Sequence, residues 1–267
     1  MKRVIDTFSF FNELDMLHVR LEYLYDIVDK FVLIESTLDY AGFPKKLYYK
    51  ENKELYNKYN DKIIHVIIDD FPDFNQEKNA WVREREQRNR WIKGINDLND
   101  NDVIIINDVD EIPDKDTLAR IKFIENLSNN IYSLEQDMYY YNINCKLQDK
   151  WYHSKIVNFW TFKNVYHQNA SYIRTLHLSN KFPIIKNGGW HFSYFGNIDF
   201  IKNKIKCFAH QEYNNDTYLN DEKITEQIKN CKDIFFRDDV KIDYIDIKDN
   251  KYLPDNYEKL MDIGKNV

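Results

Sequence analysis

The chain has 267 residues, with 38 Lys and Arg against 44 Asp and Glu, a formal charge of −6. Its 43% hydrophobic and 16% aromatic content, with only six Gly and five Pro, excludes a disordered, collagen-like or linker-dominated chain. The acidic balance argues against a general nucleic-acid or anionic-membrane binder, whose affinity comes from basic surface.

In chain order, Val4 to Phe11 is β-branched and aromatic and predicts a strand. Asn12 stands at an N-cap position, with Glu13 and Asp15 in the first turn that follows. Leu14, Leu17, Leu21, Leu24 and Val28 then recur at three- and four-residue steps, giving one apolar helix face. Phe31 to Ile34, Ile63 to Ile68 and Val103 to Ile106 are apolar runs of strand length. They end in Glu35–Ser36, Asp69–Asp70 and Asn107 to Glu111. Helices are expected from Glu77 to Leu98 and from Asp114 to Leu127. Continuous apolar strands separated by helices predict an α/β fold, a mainly parallel central sheet with helices on both faces. Ligands bind such sheets beyond the carboxyl ends of the strands, where these three acidic ends converge. Asp also caps helices, so acidic loops alone do not make a site.

The second half changes character. Ile131 to Asn144 and Trp151 to Phe162 alternate polar and aromatic residues, which predicts a mixed or antiparallel extension of the sheet. Gly188-Gly189-Trp190-His191-Phe192-Ser193 precedes a helix expected from Ile198 to His210. With no linker, repeat or low-complexity tract, the expectation is one domain. Its parts are 1–113, 114–231 and a peripheral 232–267. No apolar run approaches the roughly 20 residues that span a bilayer. Asp6, Asn12, Glu13 and Asp15 interrupt any secretory signal. Cys145, Cys207 and Cys231 are odd in number and widely spaced, so free buried thiols in a reducing, cytoplasmic compartment are expected.

Two carboxylates on one tight loop offer hard oxygen ligands to Mg²⁺ or Mn²⁺, which then bridges to substrate phosphates. With 29 Asp in the chain, roughly three Asp-x-Asp triplets arise by chance, and three exist. Asp100–Asp102 precedes its strand, and Asp114–Asp116 falls in a first helical turn. Only Asp108–Asp110 directly follows an apolar run, so it is the candidate metal pair. Four of the nine arginines, Arg83, Arg85, Arg88 and Arg90, crowd the preceding helix. A guanidinium fork matches phosphate oxygens, and Arg88 is the candidate for a diphosphate. The two glycines before His191 permit close backbone approach to a ligand and make it a candidate metal ligand. A His beside Trp190 and Phe192 is also an ordinary core residue, and His153, His167 and His177 lack even that setting. Tyr139, Tyr140, Tyr141, Trp151 and Trp160 offer stacking faces for sugars, or simply fill the core.

Several segments in order resemble glycosyltransferase family 17. They are Asp6-Thr7-Phe8-Ser9-Phe10-Phe11-Asn12-Glu13, Phe31 to Ser36, Ile64 to Pro72, Gln87-Arg88-Asn89, Asp108-Val109-Asp110-Glu111-Ile112-Pro113, Gly188 to Tyr194, and Phe208 to Asn214. The resemblance implies a GT-A-like, metal-dependent, inverting transferase. It would move a sugar, GlcNAc by family analogy, from a UDP-sugar donor to a glycan acceptor hydroxyl. It places the nucleotide sugar on residues 1–113, near Phe10, Asn12, Glu35 and Asp69, and the acceptor on 114–231. Asp108 and Asp110 would hold Mn²⁺ or Mg²⁺, with His191 as a third ligand. Inversion needs a carboxylate base, for which Glu212 and Asp137 are the candidates, with Asp199 behind them. The absence of an anchor or signal shifts the expectation to a cytoplasmic enzyme of microbial or viral origin that builds some other glycan. Two alternatives share the acidic pair. One is a haloacid-dehalogenase-type Mg²⁺-dependent phosphatase, the other a non-catalytic sugar-binding module.

Overall fold

The computed structural model describes residues 2–71, 80–123, 127, 130–176 and 182–264. The expected helix start at Glu77 and the histidine His177 lie outside the described residues.

The first half is built from the strands β1 (Val4–Phe10), β2 (Lys30–Ser36), β3 (Ile63–Ile68) and β4 (Val103–Asp108). All pair in parallel, in the spatial order β4-β1-β2-β3. Successive strand residues point to opposite faces, and both faces are apolar. Val4, Phe8, Phe31, Leu33, Val103 and Ile105 pack with Leu17, Leu21 and Leu24 of α1 (Leu14–Leu24). Ile5, Val32, Ile34, Ile104 and Ile106 instead pack with Trp91, Phe162 and Ile173. Burial on both faces is why these strands read as unbroken apolar runs. Between β2 and β3 lies the short α2 (Tyr48–Glu51). Before β4 come α3 (Ala80–Asn89) and a 3₁₀ segment, Arg90–Gly94, so the charged helix stops short of the expected Leu98 and ends in a tighter turn.

After β4 the chain forms β5 (Glu111–Pro113), α4 (Lys115–Phe123), β6 (Tyr132–Tyr140), β7 (Cys145–Leu147) and β8 (Lys155–Asn158). Then follow α5 (Phe159–Asn164), α6 (Ala170–Thr175), β9 (Ile184–Ser193), α7 (Ile198–Cys207), α8 (Asp221–Lys229), β10 (Ile242–Tyr244) and α9 (Tyr257–Gly264). Strand β8 extends the sheet antiparallel to β4, and β6 lies antiparallel to β8. Strand β9 runs parallel to β6 and antiparallel to β5. The sheet is therefore mixed beyond β4. Trp151 to Phe162 is strand over only four residues, because the Asn158 side chain accepts the Thr161 N–H and starts α5.

One expectation is corrected here. Cys145 and Cys231 form a disulfide, with their Cα atoms 5.2 Å apart, and Cys207 alone is free. The two half-cystines lie 86 residues apart and meet only because β7 and the turn after α8 share a core with Tyr141, Tyr194 and Phe235. Spacing carries no sign of that contact. The pairing removes the thiol argument for a reducing, cytoplasmic compartment. Among the described residues, no helix is long and apolar enough to cross a membrane.

Candidate active site

The turn from β4 to β5 is built by charge. Glu111 folds back so that its Oε2 accepts the Asp108 N–H at 2.9 Å. The same carboxylate accepts Trp151 Nε1 at 2.5 Å, Ser154 Oγ at 3.0 Å, and Arg174 Nη1 and Nη2 at 2.6 and 2.9 Å. From the buried side, Arg20 on α1 donates Nη1 to the carbonyls of Asp108, Val109 and Glu111 at 3.2, 3.1 and 2.7 Å. Its Nε and Nη2 grip the Asp6 carboxylate at 2.8 and 2.7 Å. Strand β9 completes the frame, its Phe192 N–H donating to the Asp110 carbonyl at 2.8 Å.

On this frame the Asp108 and Asp110 side chains meet a cleft of about 700 Å³, which Phe10, Glu13, Arg88, Arg174, His191 and Lys204 also line. Asp108 accepts Arg88 Nη2 at 3.0 Å on one oxygen and Arg174 Nη2 at 2.8 Å on the other. Burial works against its charge, but Arg174 and Arg88 outweigh burial and lower its pKa. Asp110 accepts Lys204 Nζ at 2.7 Å, and His191 Nε2 stands 3.6 Å from its other oxygen. Burial again opposes ionisation, and Lys204 and His191 again win, holding this carboxyl well below its usual range. Both side chains are carboxylates at neutral pH.

Each member of Gln87-Arg88-Asn89 has its own task. Gln87 Nε2 donates to the Ile34 carbonyl at 2.9 Å, Arg88 reaches Asp108, and Asn89 Oδ1 accepts the Ser171 N–H at 2.8 Å. They join α3 to the parallel strands, the acidic turn and α6. Of the neighbouring arginines, Arg85 also lines the cleft, whereas Arg83 Nη1 donates to the Tyr40 carbonyl at 2.8 Å and Arg90, in the 3₁₀ segment, pairs with Glu86 and Asp70. The rejected acidic triplets are structural. Asp102 binds Arg3, and Asp114 Oδ1 accepts the Thr117 N–H.

Of the residues singled out in sequence, Phe10, Arg88, Asp108, Asp110 and His191 come together in the cleft. The remaining nucleotide-side and base candidates do not line it. Glu35 is fully buried, accepts the Tyr49 and Lys50 N–H groups at the start of α2, and pairs with His65. Asn12 lies in the turn after β1, and Asp69 is exposed beyond β3. Asp137 is buried and bound by Lys146 and Lys150. Glu212 sits on the surface with its Oε1 2.7 Å from His210 Nδ1, while its neighbours His210 and Tyr213 do line the cleft. Asp199 is exposed in the first turn of α7.

The glycine pair before His191 serves strand packing. A Cβ on Gly189 would lie 2.1 Å from the Ile112 carbonyl, and one on Gly188 would lie 2.7 Å from Leu134 Cβ. Their smallness lets β9 pass between β5 and β6, and so brings His191 opposite Glu111. Of the aromatic candidates, Tyr140 and Trp151 line the cleft, whereas Tyr139 and Tyr141 are fully buried core. His153, which no sequence feature marks, also lines it and lies against the Trp151 ring at 4.1 Å.

Among the described residues, no group of three or more His, Cys, Asp or Glu side chains is gathered to hold a metal unaided. The donor set fits a cation shared with a substrate. Two ionised carboxylates stand at the turn, Lys204 already places a positive charge on Asp110, and the buried His191 Nδ1 and Arg88 Nε have no hydrogen-bond partner.

The sequence model of glycosyltransferase family 17 matches residues 1–247. The chain belongs to that family. The β-1,4-mannosyl-glycoprotein 4-β-N-acetylglucosaminyltransferases of Rattus norvegicus and Homo sapiens are each 30% identical to it over 130 residues. That stretch is 46% of this chain and 24% of each relative, so about three quarters of their length is unmatched. A solved mannosyltransferase of Pyrobaculum calidifontis, in complex with GDP-Man and Mn²⁺, aligns with a TM-score of 0.44 at 10% identity. The alignment covers 77% of this chain and 61% of that one.

In this family 17 chain, the groups that sequence reasoning passed over are the ones that hold the motif in place. Arg20 interrupts the Leu17–Leu21 stripe and Asp6 interrupts an apolar strand, and a charge inside each apolar pattern was the available signal. Arg174 and Lys204 carry no such mark. They reach the turn from 63 and 94 residues away, a proximity that only the fold creates.

Proposed function

We propose that this family 17 chain is a GT-A-type glycosyltransferase. It moves a sugar, GlcNAc in the reading we favour, from a UDP-sugar to a glycan acceptor hydroxyl, with inversion and with a divalent cation. The observation that carries this reading is the Asp108–Glu111 turn, which ends a central parallel strand and opens into a cleft lined by cations. The donor belongs with residues 1–113, against Phe10 and Arg88. The acceptor belongs with residues 114–231 of the same domain, whose Tyr140, Trp151 and Tyr194 line the cleft as stacking faces. Mn²⁺ or Mg²⁺ held by Asp108 and Asp110, with His191 as third ligand, would supply Lewis-acid neutralisation of the departing diphosphate.

The chain's own groups do the rest. Arg20 and Glu111 keep the turn rigid, and Arg174 fixes the Asp108 carboxylate. As the bond from the anomeric carbon to the diphosphate oxygen breaks, its electron pair stays on that oxygen. The acceptor oxygen bonds the same carbon from the opposite face and gives its proton to a carboxylate. Among the base candidates we retain Glu212. It adjoins the cleft residues His210 and Tyr213, whereas two lysines already hold Asp137.

Calorimetric titration with UDP and Mn²⁺ tests the reading. Asp110→Ala should abolish Mn²⁺-dependent UDP binding in a folded protein, and unchanged binding would sink the assignment. Glu212→Gln should keep that binding and lower turnover by about a hundredfold or more. Full turnover in this variant would remove Glu212 from the base role. A thermal-shift screen of nucleotide sugars with and without Mn²⁺ would then identify the donor.

A further inference from the structure

Among the cations that meet the acidic turn, Lys204 is held differently from the rest. Arg20, Arg88 and Arg174 each bridge at least two anionic or carbonyl partners at 3.0 Å or less, their planar forks fixed by that geometry. Lys204 has one close carboxylate, Asp110 Oδ2 at 2.7 Å, and a second, Glu13 Oε1, at 3.8 Å. Its Nζ lies 5.5 Å from the centre of the Tyr194 ring. Its helix is anchored independently of that contact, by the Asn197 cap and by Ile201 and Ile205 in the core. The side chain keeps about a fifth of its surface open to the cleft. Glu13 keeps partners of its own without Lys204, because its Oε2 accepts the Phe11 and Asn12 N–H groups at 3.1 Å each.

An ammonium and a divalent cation repel each other, so a cation taken up by the Asp110 carboxylate weakens its hold on Lys204. A lysine on a four-carbon stem in a roomy cleft can turn to another anion, and a diphosphate bound at the same turn is the nearest newcomer. A diphosphate diester and a divalent cation together carry no net charge. The exchange therefore leaves the cleft balanced, with no buried charge unpaired.

We propose that Lys204 is an exchangeable counter-ion. It holds Asp110 while the cleft is free of ligand, and moves to the donor's diphosphate when Asp110 takes a divalent cation. This inference rests on the reading of the cleft as a nucleotide-sugar site. It makes cation and nucleotide binding cooperative. The cation alone competes with Lys204, whereas with nucleotide present the displaced lysine gains a new partner.

The test is calorimetric titration of Mn²⁺ alone, and of UDP at saturating Mn²⁺, into wild type, Lys204→Met and Lys204→Arg. Lys204→Met should bind Mn²⁺ alone about fivefold more tightly. It should bind UDP with Mn²⁺ about tenfold more weakly, while Lys204→Arg keeps most of the UDP affinity. Opposite changes in the two affinities are the signature, since loss of a merely structural residue would weaken both. If Lys204→Met weakens both or changes neither, the exchange is wrong although the nucleotide site stands. If wild type binds no UDP at any Mn²⁺ concentration, the nucleotide reading falls and takes this inference with it. Should Lys204→Met not fold, Lys204→Gln carries the same comparison.

Discussion

Arg20 and Lys204 meet the same four-residue turn, one from the buried side and one from the cleft. Each is cationic and each pairs with an aspartate, yet the geometry assigns them opposite roles. Arg20 is fully buried, with every partner in place: two Asp6 oxygens, three carbonyls and the Asn107 side chain. Lys204 has one close partner and an open flank. A charge whose every donor is satisfied can only hold structure, because moving it would strand several buried groups at once. A charge with a single close partner beside a cleft is free to change partners.

Removing Arg20 gives the largest expected effect. Arg20→Met leaves the Asp6 carboxylate buried and unpaired and three carbonyls without their donor, a loss of about 3–5 kcal/mol. Chemical denaturation measures it, and a loss below about 1 kcal/mol would break the contrast. Removing Lys204 is the counterpart. Lys204→Met should cost clearly less than Arg20→Met, because Asp110 faces the open cleft and keeps His191 at 3.6 Å, so a loss as large as that of Arg20→Met would make Lys204 a structural residue too.

A second lysine gives the smallest effect and sharpens the rule. Lys155 is buried near Arg174, and burial first, then that guanidinium, pull its pKa from 10.5 down to about 7. Between those values the unfolded chain binds more protons than the folded one, so Lys155 makes stability rise as pH climbs from 7 to 10.5. Lys155→Met should flatten that slope and raise the melting temperature more at pH 7 than at pH 9.5. Identical pH profiles for variant and wild type would show that its charge is compensated in the folded state.

Much of this was open to reading in the sequence. The parallel strands announced themselves because they are buried on both faces, and the Asp108–Asp110 pair was separable from its two chance copies by position alone. Arg88, the arginine picked out for a diphosphate, is the one of its cluster that reaches Asp108. The acidic ends of β2 and β3 were less informative. Glu35 was placed in the candidate site by its position at a strand end, yet its carboxylate is spent on the start of α2. Strand-end acids do both jobs with the same residue type, and only their partners tell them apart. The second half was harder to read because its contacts are long-range. Neither the pairing of Cys145 with Cys231 nor the reach of Arg174 and Lys204 leaves a trace in local pattern.

The disulfide has a topological consequence. Joining Cys145 to Cys231 closes a covalent ring that contains β8, β9, α6 and α7, and with them His153, Arg174, His191 and Lys204. Asp108 and Asp110 lie outside the ring. A single protease cut anywhere between residues 145 and 231 would leave two fragments tethered by sulfur. The nicked chain would run as one band on a non-reducing gel and as two after reduction. The cleft is thus a meeting of an open stretch of chain, which carries the acidic pair, with a covalently closed one.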